Sequence, residues 1–418
     1  MTATEPQAED APSLWRNRDF GLLWSSQTLS DLGANATMLA LPLLVLSVTG
    51  SASDAGLAGT AYAAAQALLR LPGGALADRW NRRRVMLVSD AARVMLLAGL
   101  VATLATDHLS FPLILVVFTC VGVFDVAFSP AETASISHLV PSHQLPQAFA
   151  QNEARQYGAG LAGPPLGGLL FSVGRAVPFL FDLLTYAVSF CAIWAIRRPM
   201  DEPASERSST PFLAQIAEGV RHVWNSRFLR ATVVIAAPLN FAVTGALFAT
   251  TVVLRQAGVS AGTIGLAQAV AAFGGLLGAF AATALSTRLS LRQIVLTVAW
   301  ILVGCLAIAT LLTGTLAMVV PLAVGLFFAP AANAALFGHL ASTTPSQLQG
   351  RVISVVVFAA TSTAALAPLA MGALVEHFAG YIALLACAVA VTVSATAATL
   401  APGLRDTSDG APASPKAK

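Results

Sequence analysis

Residues 74–83 read Gly74-Ala75-Leu76-Ala77-Asp78-Arg79-Trp80-Asn81-Arg82-Arg83, a charged turn between two long apolar stretches. Charge of this density is rare elsewhere, because only 10% of the 418 residues are charged and 56% are hydrophobic. A water-soluble domain usually carries about 25% charged residues. Lipid is therefore the solvent for most of this chain, and residues 74–83 are predicted to form a loop at the membrane surface.

Outward from this turn, apolar runs alternate with short polar breaks. A membrane-spanning helix needs roughly 20 apolar residues, so these runs predict an all-α membrane protein with twelve transmembrane helices. The predicted spans cover residues 20–47, 53–77, 85–106, 111–133, 148–172, 176–196, 229–254, 262–286, 291–313, 315–338, 352–376 and 379–402. This count leaves no room for a large soluble domain.

The longest polar interruption divides the chain into two halves. The predicted segments are a disordered cytoplasmic N-terminus (1–14), a six-helix bundle (15–196), a cytoplasmic linker (197–228), a second six-helix bundle (229–402) and a disordered tail (403–418). Within the linker, residues 212–224 place apolar side chains at helical spacing, which indicates a helix along the membrane surface. The sequence of 127–134 recurs weakly at 327–334, and that of 163–168 at 367–372. These echoes predict two pseudo-symmetric bundles with a path between them.

The basic residues predict the orientation. Most of the 23 fall in loops on one side of the predicted spans, and only Arg175 and Arg255 fall in loops on the other side. Basic loops are retained in the cytoplasm. Both termini are therefore expected to be cytoplasmic, in a multi-pass protein of the plasma or inner membrane.

The turn at 74–83 strongly resembles the loop between helices 2 and 3 of the major facilitator superfamily, Gly-x-Leu-Ala-Asp-Arg-x-Gly-Arg-Arg. Asn81 replaces the family's glycine, and asparagine tolerates a left-handed turn well. The resemblance implies two pseudo-symmetric six-helix bundles and a cytoplasmic latch between helix ends. The latch residues are Gly74, Asp78, Arg79, Arg82 and Arg83. Asp90 is added to them because its ion pair with Arg93 is expected to support the latch. The alternative is a basic loop that only orients the chain.

The fifth span contains Gly163-Pro164-Pro165-Leu166-Gly167-Gly168, which resembles a motif of superfamily exporters that exchange substrate against protons. Gly163, Pro164, Gly167 and Gly168 are its matching residues; glycines let another helix approach closely, and prolines bend the span. The alternative is a packing kink found in any transporter. Residues 14–20 and 40–45 resemble a narrower branch of macrolide-efflux and enterobactin-exporter-like proteins. Many proton-coupled exporters carry an arginine where this chain has Phe118, so the coupling route departs from theirs.

Ionisable residues inside the predicted spans are concentrated in the first half of the chain. A charge at mid-bilayer costs roughly 2.5–3.5 kcal/mol, so such residues are usually paired or functional. Gln27, Asp31 and Asn35 follow at steps of four on helix 1, and Asp31 is the candidate proton carrier. Arg93, Asp125 and Glu132 complete the predicted proton and substrate cavity. The alternatives are a structural hydrogen bond for Asp31, and a position at the cytoplasmic mouth for Asp125 and Glu132.

The function expected from these features is secondary active transport, as proton-coupled efflux of an amphipathic drug, macrolide or siderophore by alternating access. The alternative is a solute importer or uniporter of the same fold. We expect no enzyme activity and no cofactor besides the proton gradient, since the two lysines, Lys416 and Lys418, leave none for a phosphate-binding loop or buried Schiff base. The histidines and cysteines lack metal-ligand spacing. Expected partners are the bilayer, the substrate and protons, with no nucleic acid and no obligate protein partner.

Overall fold

The computed structural model describes residues 14–77, 80–200 and 212–401, and nearly all of them are helical. This part of the chain contains fourteen α-helices and no β-strand. The helices are α1 (Arg18–Thr49), α2 (Ala52–Ala77), α3 (Arg82–Ala105), α4 (Phe111–Leu139), α5 (Leu145–Val173), α6 (Val177–Ala195), α7 (Phe212–Asn225), α8 (Arg227–Gln256), α9 (Ala261–Arg288), α10 (Leu291–Leu311), α11 (Val319–Thr343), α12 (Ser346–Ala365), α13 (Ala367–His377) and α14 (Gly380–Leu400).

Ten helical segments among the described residues are long and apolar enough to cross a membrane. The helices α2 and α5 have the length of a span but are not among the ten. In α5 the polar residues Asn152, Glu153 and Arg155 fall within one turn, which lowers the hydropathy of that helix. The count of twelve spans therefore stays a prediction.

Side chains at the helix ends explain several boundaries. The predicted span over 352–376 consists of two helices that are separated at Leu366. Pro368 explains the interruption, because proline disfavours helical conformation at the residues before it. Asn81 does not adopt a left-handed turn. Its backbone is extended (φ −62°, ψ 114°), and its side chain caps α3 by accepting a hydrogen bond from Arg84 N. Asparagine is suited to this position because it is a strong N-cap residue.

The predicted linker helix is present as α7, which packs against α12. Gly219 lies against the backbone of Arg351, and Glu218 forms an ion pair with the Arg351 guanidinium. Val220 and Trp224 of the same helix are exposed. The described part of the linker is thus attached to the second half of the chain.

Among the described residues, the two halves of the chain share an apolar core at one end only. We call the end where α1 stops and α2 starts the α1–α2 end, and the opposite one the α7 end. At the α1–α2 end a single cluster combines first-half residues such as Leu44 and Ala55 with second-half residues such as Val252 and Leu384. At the α7 end the clusters are separate, one in the first half and two in the second. The halves are therefore joined at the α1–α2 end.

Candidate functional site

A cavity of about 350 Å³ lies among the helices of the first half, and all six helices α1 to α6 contribute to its wall. All six residues of the predicted cavity set line it, namely Gln27, Asp31, Asn35, Arg93, Asp125 and Glu132. Its lining is polar and aromatic and includes Gln66, Arg70, Phe128, Gln156 and Tyr186. The sequence predicts a path between the two bundles; among the described residues, this cavity is lined by the first half of the chain.

Arg155 joins three helices beside this cavity. Its Nη2 donates to Glu132 Oε1 at 2.6 Å and to Asn152 Oδ1 at 2.8 Å. Its Nη1 lies 2.9 Å from Asp31 Oδ2, an ion pair by distance whose angles fall outside hydrogen-bond geometry. The Arg155 side chain is 1% exposed and that of Asp31 is 29% exposed. Asp31 is therefore the member of the cluster that the cavity reaches most directly.

Arg93 is the centre of a second cluster. Its Nη1 and Nη2 lie 2.8 Å from Asp125 Oδ1 and 2.5 Å from Asp90 Oδ1. Its guanidinium also stacks over the rings of Phe128 and Tyr186, with the Cζ atom 4.5 and 4.2 Å from the ring centroids. Two carboxylates and two aromatic faces thus compensate one buried cation.

Hydrogen bonds extend this cluster across the cavity wall in both directions. Tyr62 Oη donates to Asp125 Oδ2 at 2.8 Å, and Gln66 Nε2 donates to Tyr62 Oη at 2.7 Å. On the other side Ser189 Oγ donates to Asp90 Oδ2 at 2.6 Å, and Gln27 Nε2 donates to Ser189 Oγ at 2.7 Å. A continuous polar chain therefore connects α2, α4, α3, α6 and α1.

Asp90, which the sequence assigned to the latch, belongs to this buried cluster. It is fully buried and accepts hydrogen bonds from Arg93 and Ser189. The ion pair that the sequence predicted between Asp90 and Arg93 is present, since residues three apart share one helix face. Its proposed support of the latch stays a prediction.

The remaining latch residues are described only in part. Arg82 Nη1 donates to the Met200 carbonyl at 3.2 Å, and Arg83 Nη2 donates to the Trp194 carbonyl. Both contacts tie the start of α3 to the end of α6 and the residues that follow it. Gly74 lies in the last turn of α2. Asp78 and Arg79 lie outside the described residues, so gating by this loop stays a prediction.

The helix-5 motif packs against α1 and α9. A Cβ atom at Gly163 would overlap the side chain of Asn35, and one at Gly167 would overlap the backbone of Ala36. Gly168 lies in the same way against the backbone of Ala261 in α9. Two of the motif glycines therefore position the cavity-lining face of α1, and a third joins the two halves.

Two charged residues beside the site were not in the predicted set. Arg155 lies within a predicted span, but its partners depend on the register of α5 against α1 and α4, which the sequence leaves open. Asp182 in α6 is 1% exposed and lies against Gly33 of α1. Among the described residues no basic side chain forms an ion pair with Asp182, whereas each of the other five buried or cavity-lining acids has an arginine partner. The sequence feature that could have indicated Asp182 is that the first six spans contain more acidic residues than arginines.

No group of three or more His, Cys, Asp or Glu side chains within the described ranges is arranged to hold a metal ion. The acids of the cavity are instead divided between two arginines. The arrangement can bind and release a proton, and it can present carboxylates to a bound molecule.

Comparison with known proteins gives a family and several relatives. The family model of the Major Facilitator Superfamily matches residues 23–368. Multidrug efflux pump Tap of Mycobacterium tuberculosis (strain ATCC 25618 / H37Rv) is 27% identical over 399 residues, which cover 92% of this chain and 94% of that protein. Macrolide efflux protein A of Streptococcus pyogenes is 22% identical over 219 residues, covering 52% of this chain and 54% of that protein.

Solved structures share the fold. A bacterial homologue of the human lysosomal transporter Spinster, in an inward-facing and unoccupied conformation, superposes with a TM-score of 0.77 at 16% identity, covering 96% of this chain and all of that one. A bacterial homologue of the iron transporter ferroportin, in an inward-facing state, gives a TM-score of 0.73 at 15% identity, covering 93% of this chain and 99% of that one. At these identities the likeness concerns the fold alone.

Proposed function

The chain belongs to the Major Facilitator Superfamily and is a multi-pass membrane transporter, and from this premise we propose that it exports amphipathic small molecules in exchange for protons. The observation that carries the proposal is the position of Asp31, a carboxylate on the cavity wall 2.9 Å from the buried guanidinium of Arg155. The relatives named as multidrug and macrolide efflux proteins support the direction of transport.

Proton binding at Asp31 supplies the coupling. A proton on this carboxylate neutralises it and releases Arg155 Nη1, while Arg155 Nη2 stays bound to Glu132 and Asn152. Loss of the proton restores the ion pair. A cationic substrate that approaches Asp31 competes with the proton for the same carboxylate, which makes binding of one and release of the other a single exchange.

The cavity favours neutral or cationic amphipathic molecules. Its volume of about 350 Å³ falls within the range of roughly 300–1,000 Å³ that is common for small-molecule sites. Three carboxylates and two arginines stand on its wall, together with the rings of Phe128 and Tyr186. Flat apolar groups bind aromatic rings, and protonated amines bind carboxylates.

The way the halves are joined supports alternating access. With both termini in the cytoplasm, as the basic loops indicate, the shared core at the α1–α2 end closes the outer side. Transport requires this core to separate and the α7 end to close in its place. The inward-facing Spinster homologue with the same fold supports this assignment of the conformation.

Transport in inverted vesicles tests the proposal. Vesicles that contain the full chain, with the proton gradient of the exporting direction imposed, are expected to accumulate members of a panel of fluorescent dyes, macrolides and siderophores. A protonophore is expected to abolish accumulation. Uptake that is insensitive to the protonophore would favour the uniporter, and uptake only with the opposite gradient would favour the importer; either result contradicts proton-coupled export.

A further inference from the structure

Near the α1–α2 end, α2 of the first half packs against α13 of the second half without intervening side chains. A Cβ atom at Gly56 would overlap the carbonyl of Pro368, and a Cβ atom at Gly372 would overlap the carbonyl of Ala52. The two backbones are therefore in direct contact, and we call this contact the first seam.

A second seam joins α5 of the first half to α9 of the second half in the same manner. Gly265 lies against the carbonyl of Pro164, and Gly168 lies against the carbonyl of Ala261. Both seams lie at the α1–α2 end, because α2 and α9 begin there and α5 and α13 end there.

The two seams are copies of one another. Two positions of α5 correspond to two of α13 at a constant shift of 204 residues, and two positions of α2 correspond to two of α9 at a constant shift of 209 residues. The corresponding positions are Pro164 and Pro368, Gly168 and Gly372, Ala52 and Ala261, and Gly56 and Gly265. The internal pseudo-symmetry thus extends to individual backbone contacts between the halves.

Both seams end in a hydrogen bond that caps a helix of the opposite half. The first N–H groups of a helix have no partner inside it. Ala52 N, at the start of α2, donates to Glu376 Oε2 at 2.6 Å. Gly262 N, at the start of α9, donates to Ser172 Oγ at 3.0 Å. Ser172 and Glu376 correspond at the same shift of 204 residues.

A third bond of this kind exists within the first seam. The break before α13 leaves Leu369 N without a partner in its own helix, and this group donates to Thr60 Oγ1 of α2 at 3.0 Å. All three acceptors belong to the half opposite the capped helix. By contrast, Ser260 caps α9 from its own half by accepting from Thr263 N.

We propose that Glu376, Ser172 and Thr60 are gating residues that keep the α1–α2 end closed by capping helices of the opposite half. A cap within one half persists in every conformation, whereas a cap across a seam exists only while the seam is closed. The caps across the seams therefore bias the conformational equilibrium toward closure at this end. Glu376 contributes most, because a carboxylate at a helix N-terminus also interacts with the helix dipole.

This inference rests on the proposed alternating access, and it is tested by a distance measured without substrate or proton gradient. Spin labels are attached at Ala105→Cys and Ala257→Cys, two exposed positions at the α1–α2 end in different halves, in the full chain with its four native cysteines replaced by alanine. Pulsed electron paramagnetic resonance in nanodiscs then gives the fraction of molecules with separated labels.

Glu376→Ala is expected to raise the ratio of open to closed molecules about fivefold, the factor that loss of a helix cap typically produces. Glu376→Gln, which keeps the size and one acceptor, is expected to give an intermediate ratio, and Ser172→Ala and Thr60→Val smaller increases. Ser260→Ala is the matched control, since it removes a cap from α9 within one half; it is expected to lower the melting temperature without changing the ratio.

An unchanged ratio in Glu376→Ala, or an equal increase in Ser172→Ala and Ser260→Ala, overturns the assignment. If the ratios change as expected but the protein shows no efflux, only the proposed function is refuted. If efflux occurs but the ratios do not change in the variants, only the assignment of the gating residues is refuted.

Discussion

Asp31 Oδ2 and Arg155 Nη1 lie 2.9 Å apart and connect α1 to α5 at the wall of the cavity. Of the pair, the arginine is nearly inaccessible and is also held by Glu132 and Asn152, while the carboxylate is partly exposed. The fixed partner is therefore the cation and the exchangeable one the acid. Substitution of Asp31 is therefore expected to affect transport, and substitution of Arg155 is expected to affect stability.

Asp31→Asn is expected to leave folding intact and to abolish proton-driven efflux, because the amide has the shape of the carboxylate but cannot exchange a proton. The measurement is substrate accumulation in inverted vesicles with an imposed pH gradient. Glu153→Gln is the matched control, since Glu153 is an exposed acid two residues from Arg155. Wild-type transport by Asp31→Asn would remove Asp31 from the coupling mechanism.

Arg155→Leu is expected to lower the free energy of unfolding by about 3–5 kcal/mol, because it leaves the buried carboxylate of Glu132 without its cation. The double variant Arg155→Leu with Glu132→Leu is expected to recover most of this loss, since it removes both charges. Thermal unfolding of the purified variants in detergent measures the effect. A double variant no more stable than Arg155→Leu alone would show that the pair is not the source of the loss.

Helix faces and the residues that line the cavity could be predicted from the sequence, whereas individual contacts between helices could not. The steps of four from Gln27 to Asp31 to Asn35 fix a shared face whatever surrounds it, and all three line the cavity. The partners of Arg155 lie on α1 and α4, and their distance depends on helix register, which the sequence does not specify.

Two local interpretations changed for physical reasons. From the sequence, Asn81 in place of the family's glycine is explained by its tolerance of a left-handed turn, but Asn81 caps α3 in an extended conformation. The predicted span 352–376 is interrupted at Leu366, where the freed Leu369 N–H is satisfied by Thr60 of the other half. The pattern of apolar residues predicts neither feature, because both depend on hydrogen bonds to backbone N–H groups.

Gly163→Ala is expected to reduce both stability and efflux, because the added methyl group would overlap Asn35 and displace the cavity face of α1. Gly160→Ala, in the same helix, has no atom within 4 Å of the added Cβ position and is expected to behave as wild type or slightly more stably. Melting temperatures and vesicle efflux of the two variants check this contrast. Equal behaviour of the two variants would indicate that the helix-5 motif acts by flexibility and not by close packing.

Asp182→Asn is expected to leave the melting temperature nearly unchanged, whereas Asp90→Asn lowers it. Both acids are fully buried, but Asp90 forms an ion pair with Arg93, and Asp182 has no such partner among the described residues. An amide is a suitable substitute where the carboxyl group accepts a hydrogen bond from Thr185 and lies close to Gly33 of α1, but it leaves the Arg93 cation less compensated at position 90. Thermal unfolding in the same detergent compares the melting temperatures of the two variants with that of the wild type. A larger loss for Asp182→Asn would mean that its charge, and not only its shape, stabilises the contact between α1 and α6.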